Sequence, residues 1–236
     1  LFFKEHRIRA IEPALRDLAA GLAASLRAAP APEFGEGFAA PFTVGALCIL
    51  AGMDLSESEE LGRLSHAYVA AVQGGDMATA GAISQRIDGF AVALVQDRID
   101  HPRDPETDIV SGLMAHRPEG GPYGFQELAG MVRLMLIGGH VVPRNFLCSM
   151  AWHLASDPAL QDRLRAGGLD RRLLIEEMLR VHAPNQALVR VATRDTALRG
   201  VTIPQGCPVA LNFLSANRDE EIFPDAMAFD PARSPN

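Results

Sequence analysis

Residues 175–184, with the sequence IEEMLRVHAP, decide the fold of this chain. Glu177 and Arg180 stand three residues apart in this stretch. That spacing places both side chains on one face of a helix, where they can form an ion pair. An exposed pair of this kind contributes little to stability. The pair therefore indicates a particular fold only together with the short motifs that follow it in the chain.

Further short motifs come after residue 184. They are strand-like alternation over residues 187–192 and 202–213, Asn-Arg-Asp at 217–219, Phe-Pro-Asp at 223–225 and Phe-Asp-Pro-Ala-Arg at 229–233. The alternation of apolar and polar residues predicts two strands, with turns at Arg199-Gly200 and at Pro204-Gln205-Gly206. Residues 218–236 show no clear period and are predicted to form a loop.

The chain before residue 175 is predicted to be helical. Apolar residues at steps of three and four predict a helix over residues 5–29, with a start near Glu12 as the alternative because Pro13 would otherwise lie inside it. Further helices are predicted over residues 41–51, 56–72 with a capping box at 56–59, 78–99, 108–116, 125–154 with an interruption at Pro143, 158–167 and 171–181. Many helices followed by a little sheet predict a mainly α, α-rich α+β fold without separate domains.

Composition and charge exclude several classes of protein. Of the 236 residues, 48% are apolar and 22% charged, which is typical of a globular protein. The net charge of −7 disfavours nucleic acid as a partner, because phosphate binding needs clustered cations. The longest apolar stretch, residues 38–53, is too short and too broken to span a membrane. Three scattered cysteines without metal-ligand spacing predict reduced thiols and a cytoplasmic location.

The ordered motifs after residue 175 resemble the C-terminal half of cytochrome P450 enzymes of the bacterial, soluble type. The resemblance implies a cytochrome P450-like helical fold with a small β-sheet near the C-terminal end. It implies that residues 1–236 form a single partial domain, from the family's D helix to its meander loop. It also implies that Glu177, Arg180 and Arg233 form a buried structural cluster that locks the meander against the helix.

By the same resemblance the cofactor is haem b, iron protoporphyrin IX. Arg190 matches the family position whose guanidinium pairs with a haem propionate, a role that suits a planar and permanently charged group. An exposed strand arginine without a ligand is the alternative. The substrate pocket would be formed by two short segments. Its residues would be Met135, Leu136, Ile137, Asn185, Gln186, Ala187 and Leu188.

The predicted helix 125–154 occupies the place of the family's I-helix, which crosses the face of the haem where oxygen binds. Gly138 and Gly139 match the family's small residues, which let the helix approach the porphyrin and dioxygen. The acid and alcohol that normally relay protons are replaced by Val141 and Val142, which cannot carry protons. Gly138 to Val142, including His140, are therefore the candidate catalytic positions.

Three interpretations of this departure remain open. Protons could arrive through water or through His140, the protein could use peroxide, or it could no longer activate oxygen. A His140 that faces away from the haem is the simpler expectation. For Arg144, which follows Pro143, an outward-facing surface residue is favoured over a ligand for a substrate carboxylate.

The family's haem-ligand cysteine is expected beyond Asn236, since Cys48, Cys148 and Cys207 do not match its position. The chain is therefore predicted to be an internal fragment, inactive alone, of a haem-thiolate monooxygenase. Its predicted partners are an apolar or aromatic small-molecule substrate and a ferredoxin-type or flavin reductase. The alternatives are a haem-free activator of another enzyme, a peroxygenase and, least favoured, a helical scaffold.

Overall fold

The computed structural model describes residues 3–234 and divides into two compact units, which meet in the chain between Asn145 and Phe146. The first unit holds α1 (Glu5–Ala28), a π-helix (Gly35–Ala39), α2 (Ala40–Ala51), a 3-10 turn (Leu55–Glu57), α3 (Ser58–Gln73), α4 (Met77–Asp100) and α5 (Ile109–Ala115). Helix α6 (Phe125–Ser156) begins in the first unit and ends in the second. The second unit continues with α7 (Pro158–Arg165), α8 (Arg171–His182), β1 (Ala187–Val191), β2 (Thr196–Leu198), β3 (Val201–Ile203), β4 (Pro208–Asn212) and α9 (Phe213–Ala216). The mainly α fold class is confirmed.

Aspartate side chains set the beginnings of several elements. Each of them accepts a hydrogen bond from a backbone N–H in the first turn, which satisfies a donor that has no partner inside the helix. These residues are Asp54, Asp76, Asp108, Asp157 and Asp170. The capping box expected at residues 56–59 is wrong, because the N–H of Ser56 donates to Asp54 and α3 begins only at Ser58.

The two helical prolines do not interrupt their helices. Helix α1 begins at Glu5 and contains Pro13, so the alternative start near Glu12 is wrong. Helix α6 continues through Pro143, so the expected interruption is wrong as well. Both prolines lie at exposed positions of their helices.

Two antiparallel strand pairs make up the β-structure of the second unit. Strand β1 pairs with β4, with Arg190 opposite Val209, and β2 pairs with β3 through the predicted turn at Arg199 and Gly200. The predicted turn at Pro204-Gln205-Gly206 is confirmed, with a φ of 80° at Gly206, and it divides the strand-like stretch 202–213 into β3 and β4. Strand β2 was not predicted.

Each unit has its own apolar core. In the first unit, helices α2 to α6 bury Leu61, Ile87, Val95, Val132 and Leu136 completely. In the second, Met178 of α8 is fully buried in a smaller cluster with Leu160 and Leu174. Among the described residues, no helix is long and apolar enough to cross a membrane.

A buried arginine joins three elements of the first unit. The side chain of Arg98 is 1% exposed. Its Nε donates to Asp108 Oδ2 at 3.1 Å, and its Nη2 donates to the carbonyls of Ala51 at 3.2 Å and Gly52 at 2.9 Å. The last turn of α4 is thereby tied to the end of α2 and to the N-cap of α5.

We expect Arg98→Met to lower the free energy of unfolding by about 3–5 kcal/mol, because it removes the nearest cation from the buried Asp108 carboxylate and the Arg98 donor from the buried Ala51 carbonyl. The matched control is Arg86→Met, which removes an exposed ion pair with Glu60 and should cost less than about 1 kcal/mol. Urea unfolding of the full-length protein measures both values. Equal effects of the two substitutions would contradict the assignment.

Candidate functional site

The centre of the second unit's charged cluster is an ion pair on one face of α8. Arg180 donates from Nε to Glu177 Oε2 at 2.7 Å and from Nη2 to Glu177 Oε1 at 2.8 Å. Glu177 is 2% exposed and Arg180 is 6% exposed. The pair is bidentate and almost completely withdrawn from water, which is the strong form of this interaction.

Arg180 also holds the loop that follows α9. Its Nη1 donates to the carbonyls of Asn217 and Ala226, both at 2.8 Å, and its Nη2 donates to the carbonyl of Ala228 at 3.0 Å. The guanidinium lies over the ring of Phe223, with its carbon 5.4 Å from the ring centre. One side chain therefore fixes three points of a segment that forms no regular structure of its own.

The carboxylate of Glu177 is shared with the last described part of the chain. Arg233 donates from Nε to Glu177 Oε1 at 3.2 Å, and the backbone N–H of Asp230 donates to the same oxygen at 2.9 Å. Arg233 also donates from Nη1 to the carbonyl of Pro224 at 2.8 Å. The structure thus brings Glu177, Arg180 and Arg233 together, and we call these three residues the clamp.

The hydrogen bonds within the clamp keep Glu177 and Arg180 in their charged forms. Burial alone would raise the pKa of Glu177, but hydrogen bonds from Arg180, the Asp230 amide and Arg233 outweigh it and lower the pKa below the ordinary value. The hydrogen bond to Glu177 raises the pKa of Arg180. Both groups are therefore charged at neutral pH, and neither is available as a general acid or base.

The Asn-Arg-Asp motif completes the end of α8. Ala183 ends the helix in a left-handed conformation with a φ of 38°, which leaves the last carbonyls without helical partners. Asn217 Nδ2 donates to the carbonyl of Arg180 at 3.2 Å, and Arg218 Nη2 donates to the carbonyl of Val181 at 2.9 Å. These carbonyl acceptors were missed by the sequence analysis, because a backbone acceptor has no residue signature.

The two glycines of α6 have different surroundings. A Cβ built on Gly139 would lie 2.9 Å from Leu47 Cδ1, so Gly139 permits the close approach of α2 to α6. A Cβ on Gly138 would meet no atom within 4 Å. Gly138 shares an open face of the helix with Leu134, which is 71% exposed, and with the partly buried Val141. Gly139 therefore has a packing role that needs no cofactor.

His140 is placed away from that open face. It follows Gly138 by two residues, which is a rotation of about 200° around the helix. It is 4% exposed, and its Nδ1 has no hydrogen-bond partner among the described residues. Burial lowers the pKa of His140, against a raising effect of the Leu136 carbonyl and with a further lowering by Arg144 and His66. A neutral, inward-facing imidazole fits a core role better than a proton relay to the Gly138 side.

The other candidate residues of α6 lie at core or partly exposed positions. Val142 is partly buried and, like Val141, offers no group that could carry a proton. Arg144 pairs with Glu36 of the π-helix, and 23% of its side chain is exposed. Leu136 is fully buried in the first unit's core, and Met135 packs against that core. The burial of Leu136 favours a core role over contact with a substrate.

Arg190 lies on an apolar, exposed strand pair. Its Nη1 donates to the carbonyl of Val189 at 3.0 Å, and no carboxylate within residues 3–234 forms an ion pair with it. Val189 and Val191 on either side are each 61% exposed. The preceding segment is exposed too, from Asn185 through Leu188. A cation flanked by apolar side chains is suited to a flat, apolar ligand that carries a carboxylate.

The three cysteines lie in different parts of the chain. Burial raises the pKa of Cys48 to about 11, so its free thiol stays protonated at neutral pH. Cys148 lies on α6, and Cys207 precedes β4. Within the part of the chain that the structure describes, no group of three or more His, Cys, Asp or Glu side chains could hold a metal ion.

These observations test whether the chain fits a haem. In the first unit, the open space beside Gly138 leaves room for a flat group against α6. In the second unit, the guanidinium of Arg190 has no carboxylate partner among residues 3–234 and suits a carboxylate arm of such a group. Neither observation includes a ligand for the iron. The fit therefore concerns one feature of each unit, taken by itself.

Comparison with known proteins agrees with the fold. The Cytochrome P450 family model matches residues 172–234. Cytochrome P450 109 of Bacillus spizizenii is 29% identical over 99% of this chain and 59% of its own length. Mycinamicin IV hydroxylase/epoxidase of Micromonospora griseorubida is 30% identical over 99% of this chain and 59% of its own length. The open structure of the cytochrome P450 Eryk from S. erythraea is 26% identical, with a TM-score of 0.85 over 100% of this chain and 60% of that chain.

The chain belongs to the cytochrome P450 family. It spans about three fifths of the length of the curated relatives named above. The matched residues 172–234 include the whole clamp.

We expect Glu177→Gln to lower the free energy of unfolding by about 3–5 kcal/mol, because it leaves two largely buried guanidiniums without their counter-charge. The matched control is Glu176→Gln at the exposed neighbouring position, which should change it by less than about 0.5 kcal/mol. Chemical denaturation of the full-length protein at neutral pH measures the difference. A loss below about 1 kcal/mol for Glu177→Gln would contradict the role of the clamp.

The lowered pKa of Glu177 also predicts a pH dependence. A carboxylate whose pKa is depressed by folding stabilises the protein above its ordinary value of 4.5, and this contribution is lost as the pH falls through the folded pKa. The normal protein should therefore lose more stability on acidification below 4.5 than Glu177→Gln does. The urea midpoints of the normal protein and of Glu177→Gln should converge as the pH falls over this range. A constant difference between the two midpoints would exclude a contribution from Glu177.

Proposed function

We propose that this chain forms part of a haem-thiolate monooxygenase that oxidises an apolar small molecule in the cytoplasm. The observation that carries the proposal is Arg190, a cation without a carboxylate partner in the described chain, on an exposed apolar strand of a cytochrome P450 fold. Such a side chain gains a partner when a haem propionate is bound. The hydroxylase/epoxidase relative supports the same class of reaction.

The bound haem would supply the iron that activates oxygen, with a cysteine thiolate from outside the described residues as its ligand. Arg190 would hold a propionate, and the absence of a side chain at Gly138 would let α6 lie close to the macrocycle. Gly139 would contribute indirectly, because its contact with Leu47 fixes the position of this part of α6. The clamp would hold the loop over residues 217–233 in place and take no part in the chemistry.

The surface beside Gly138 supports an apolar or aromatic substrate. Leu134 and Val141 flank Gly138 on the open face and offer no charge or hydroxyl to a ligand. In the second unit, the exposed segment from Asn185 and Gln186 to Ala187 and Leu188 combines amides with apolar side chains. This pattern suits a ligand that is oriented by a few polar contacts and held mainly by apolar ones.

The proton supply is the point at which this chain departs from its family. Val141 and Val142 offer no proton carrier, and the buried His140 faces away from Gly138. We infer that the route driven by dioxygen and a ferredoxin-type or flavin reductase is slowed. Peroxide brings both oxygen atoms already reduced, so a peroxygenase is the second candidate. The valines equally suit a haem-free activator, which would need no proton carrier. In such a protein, however, Arg190 would have no haem propionate to bind.

The haem assignment predicts a spectrum and its dependence on Arg190. The reduced, CO-treated full-length protein should show the Soret band of a thiolate-ligated haem. Arg190→Gln should lower the haem retained after gel filtration several-fold, whereas Arg194→Gln, in the next turn, should not. Absence of the band in the normal protein, with an intact fold by circular dichroism, would exclude the monooxygenase and leave the haem-free activator.

The proton-supply assignment predicts an effect of restoring the acid and alcohol. The double variant Val141→Asp/Val142→Thr should raise the fraction of reducing equivalents that ends in product by about tenfold or more. Val141→Leu/Val142→Ala, the matched control, should not raise it. Product yield per NAD(P)H consumed measures the effect, beside turnover with hydrogen peroxide. Tightly coupled turnover in the normal protein would contradict the assignment.

A further inference from the structure

Two histidines meet where α6 and α8 come together in the second unit. Nε2 of His182 lies 3.1 Å from Nδ1 of His153, and the two rings stand at 83° with their centres 5.1 Å apart. One of these nitrogens must carry a hydrogen and the other must offer a lone pair. At least one imidazole is therefore neutral in this arrangement.

The pair is joined to the loop that the clamp holds. The ring centre of His153 lies 4.2 Å from that of Phe229, and Phe229 packs on the apolar cluster of Leu160, Leu174 and Met178. The clamp binds the backbone on both sides of Phe229, at the carbonyl of Ala228 and the N–H of Asp230. The clamp thus fixes the backbone of this loop, and the histidine pair contacts the partly buried ring of Phe229.

The charged surroundings of the pair disfavour a second proton. His182 faces His153 of α6 and Arg218 from the segment after α9, while Trp152 of α6 presents an uncharged ring 6.3 Å away, centre to centre. Beside Phe229, the carboxylate of Asp230 is engaged by the N–H of Ala232 at 3.0 Å. No carboxylate within residues 146–234 forms an ion pair with either histidine.

We propose that the His153–His182 pair is an acid-sensitive latch on the loop over residues 226–233. In the neutral state the hydrogen bond holds both rings in place and His153 packs against Phe229. When both imidazoles are protonated, neither nitrogen can accept, the two cations repel each other beside Arg218, and Phe229 loses its packing partner. The latch needs no haem and does not depend on the proposed monooxygenase function.

The direction of the pH effect follows from His182. Burial, His153 and Arg218, in that order, lower its pKa below the ordinary value of 6.5. The unfolded chain therefore takes up this proton at a higher pH than the folded one. Stability is lost as the pH falls below 6.5, and the loss grows until the folded pKa is reached.

Trp152 reports on the latch, because its ring stands edge-on to His182 and an imidazolium quenches indole emission. In the full-length protein, the fluorescence of Trp152, obtained as the part that Trp152→Phe removes, should decrease as the pH is lowered from about 7.5 to about 5.5. Its midpoint should lie below 6.5. Over the same interval, hydrogen exchange of the amides of residues 226–233, corrected for its intrinsic pH dependence, should accelerate several-fold.

His182→Gln keeps a hydrogen-bonding side chain without a titrating group and should abolish both changes. His153→Gln should do the same, which keeps the test decisive if one variant folds poorly. His101→Gln, in the first unit and paired with Asp97, is the control and should retain both changes. The proposal is overturned if both changes persist in His182→Gln and His153→Gln, or if exchange over residues 226–233 in the normal protein is the same at both pH values.

Discussion

The fold of the second unit depends on the carboxylate of Glu177, which accepts hydrogen bonds from two arginines. Glu177 is 2% exposed and accepts hydrogen bonds from Arg180, Arg233 and the amide of Asp230. An isolated buried carboxylate would be too costly to keep ionised. Here two guanidiniums supply its counter-charge and use their other N–H groups to hold backbone carbonyls. A loop without regular structure thereby gains a fixed path against α8.

Local chemistry explains why most of the fold could be predicted from the sequence. Apolar spacing and aspartate caps act within a few residues, so α2, α4, α5 and α8 begin and end close to their predicted bounds. The errors arose where two local signals compete. The backbone N–H of Ser56 donates to the side chain of Asp54, so the capping box predicted to start at Ser56 does not form. Pro13 and Pro143 lie at exposed positions, where their helices tolerate them. Strand β2 has three residues, too few for a visible alternation.

The candidate site was less predictable, because its parts lie far apart in the chain. The clamp residues were named through the family resemblance, but the carbonyls of Asn217, Ala226 and Ala228 carry no side-chain signal. The His153–His182 pair spans 29 residues and forms no motif. The role of Gly139 depends on Leu47, which only the packing of α2 against α6 brings near. The sequence therefore predicts the residues of the clamp but not the backbone groups that they contact.

The most direct test of the clamp is native-state hydrogen exchange at the Asp230 amide. This N–H lies in a loop, and its acceptor is the Glu177 carboxylate at 2.9 Å. If the clamp fixes the loop as described, the Asp230 amide should exchange only through global unfolding while the His153–His182 pair is neutral, with protection equal to that of the amides inside α8. Protection as weak as at the exposed turn of Arg199 and Gly200 would show that the loop opens independently of α8, and would contradict the account.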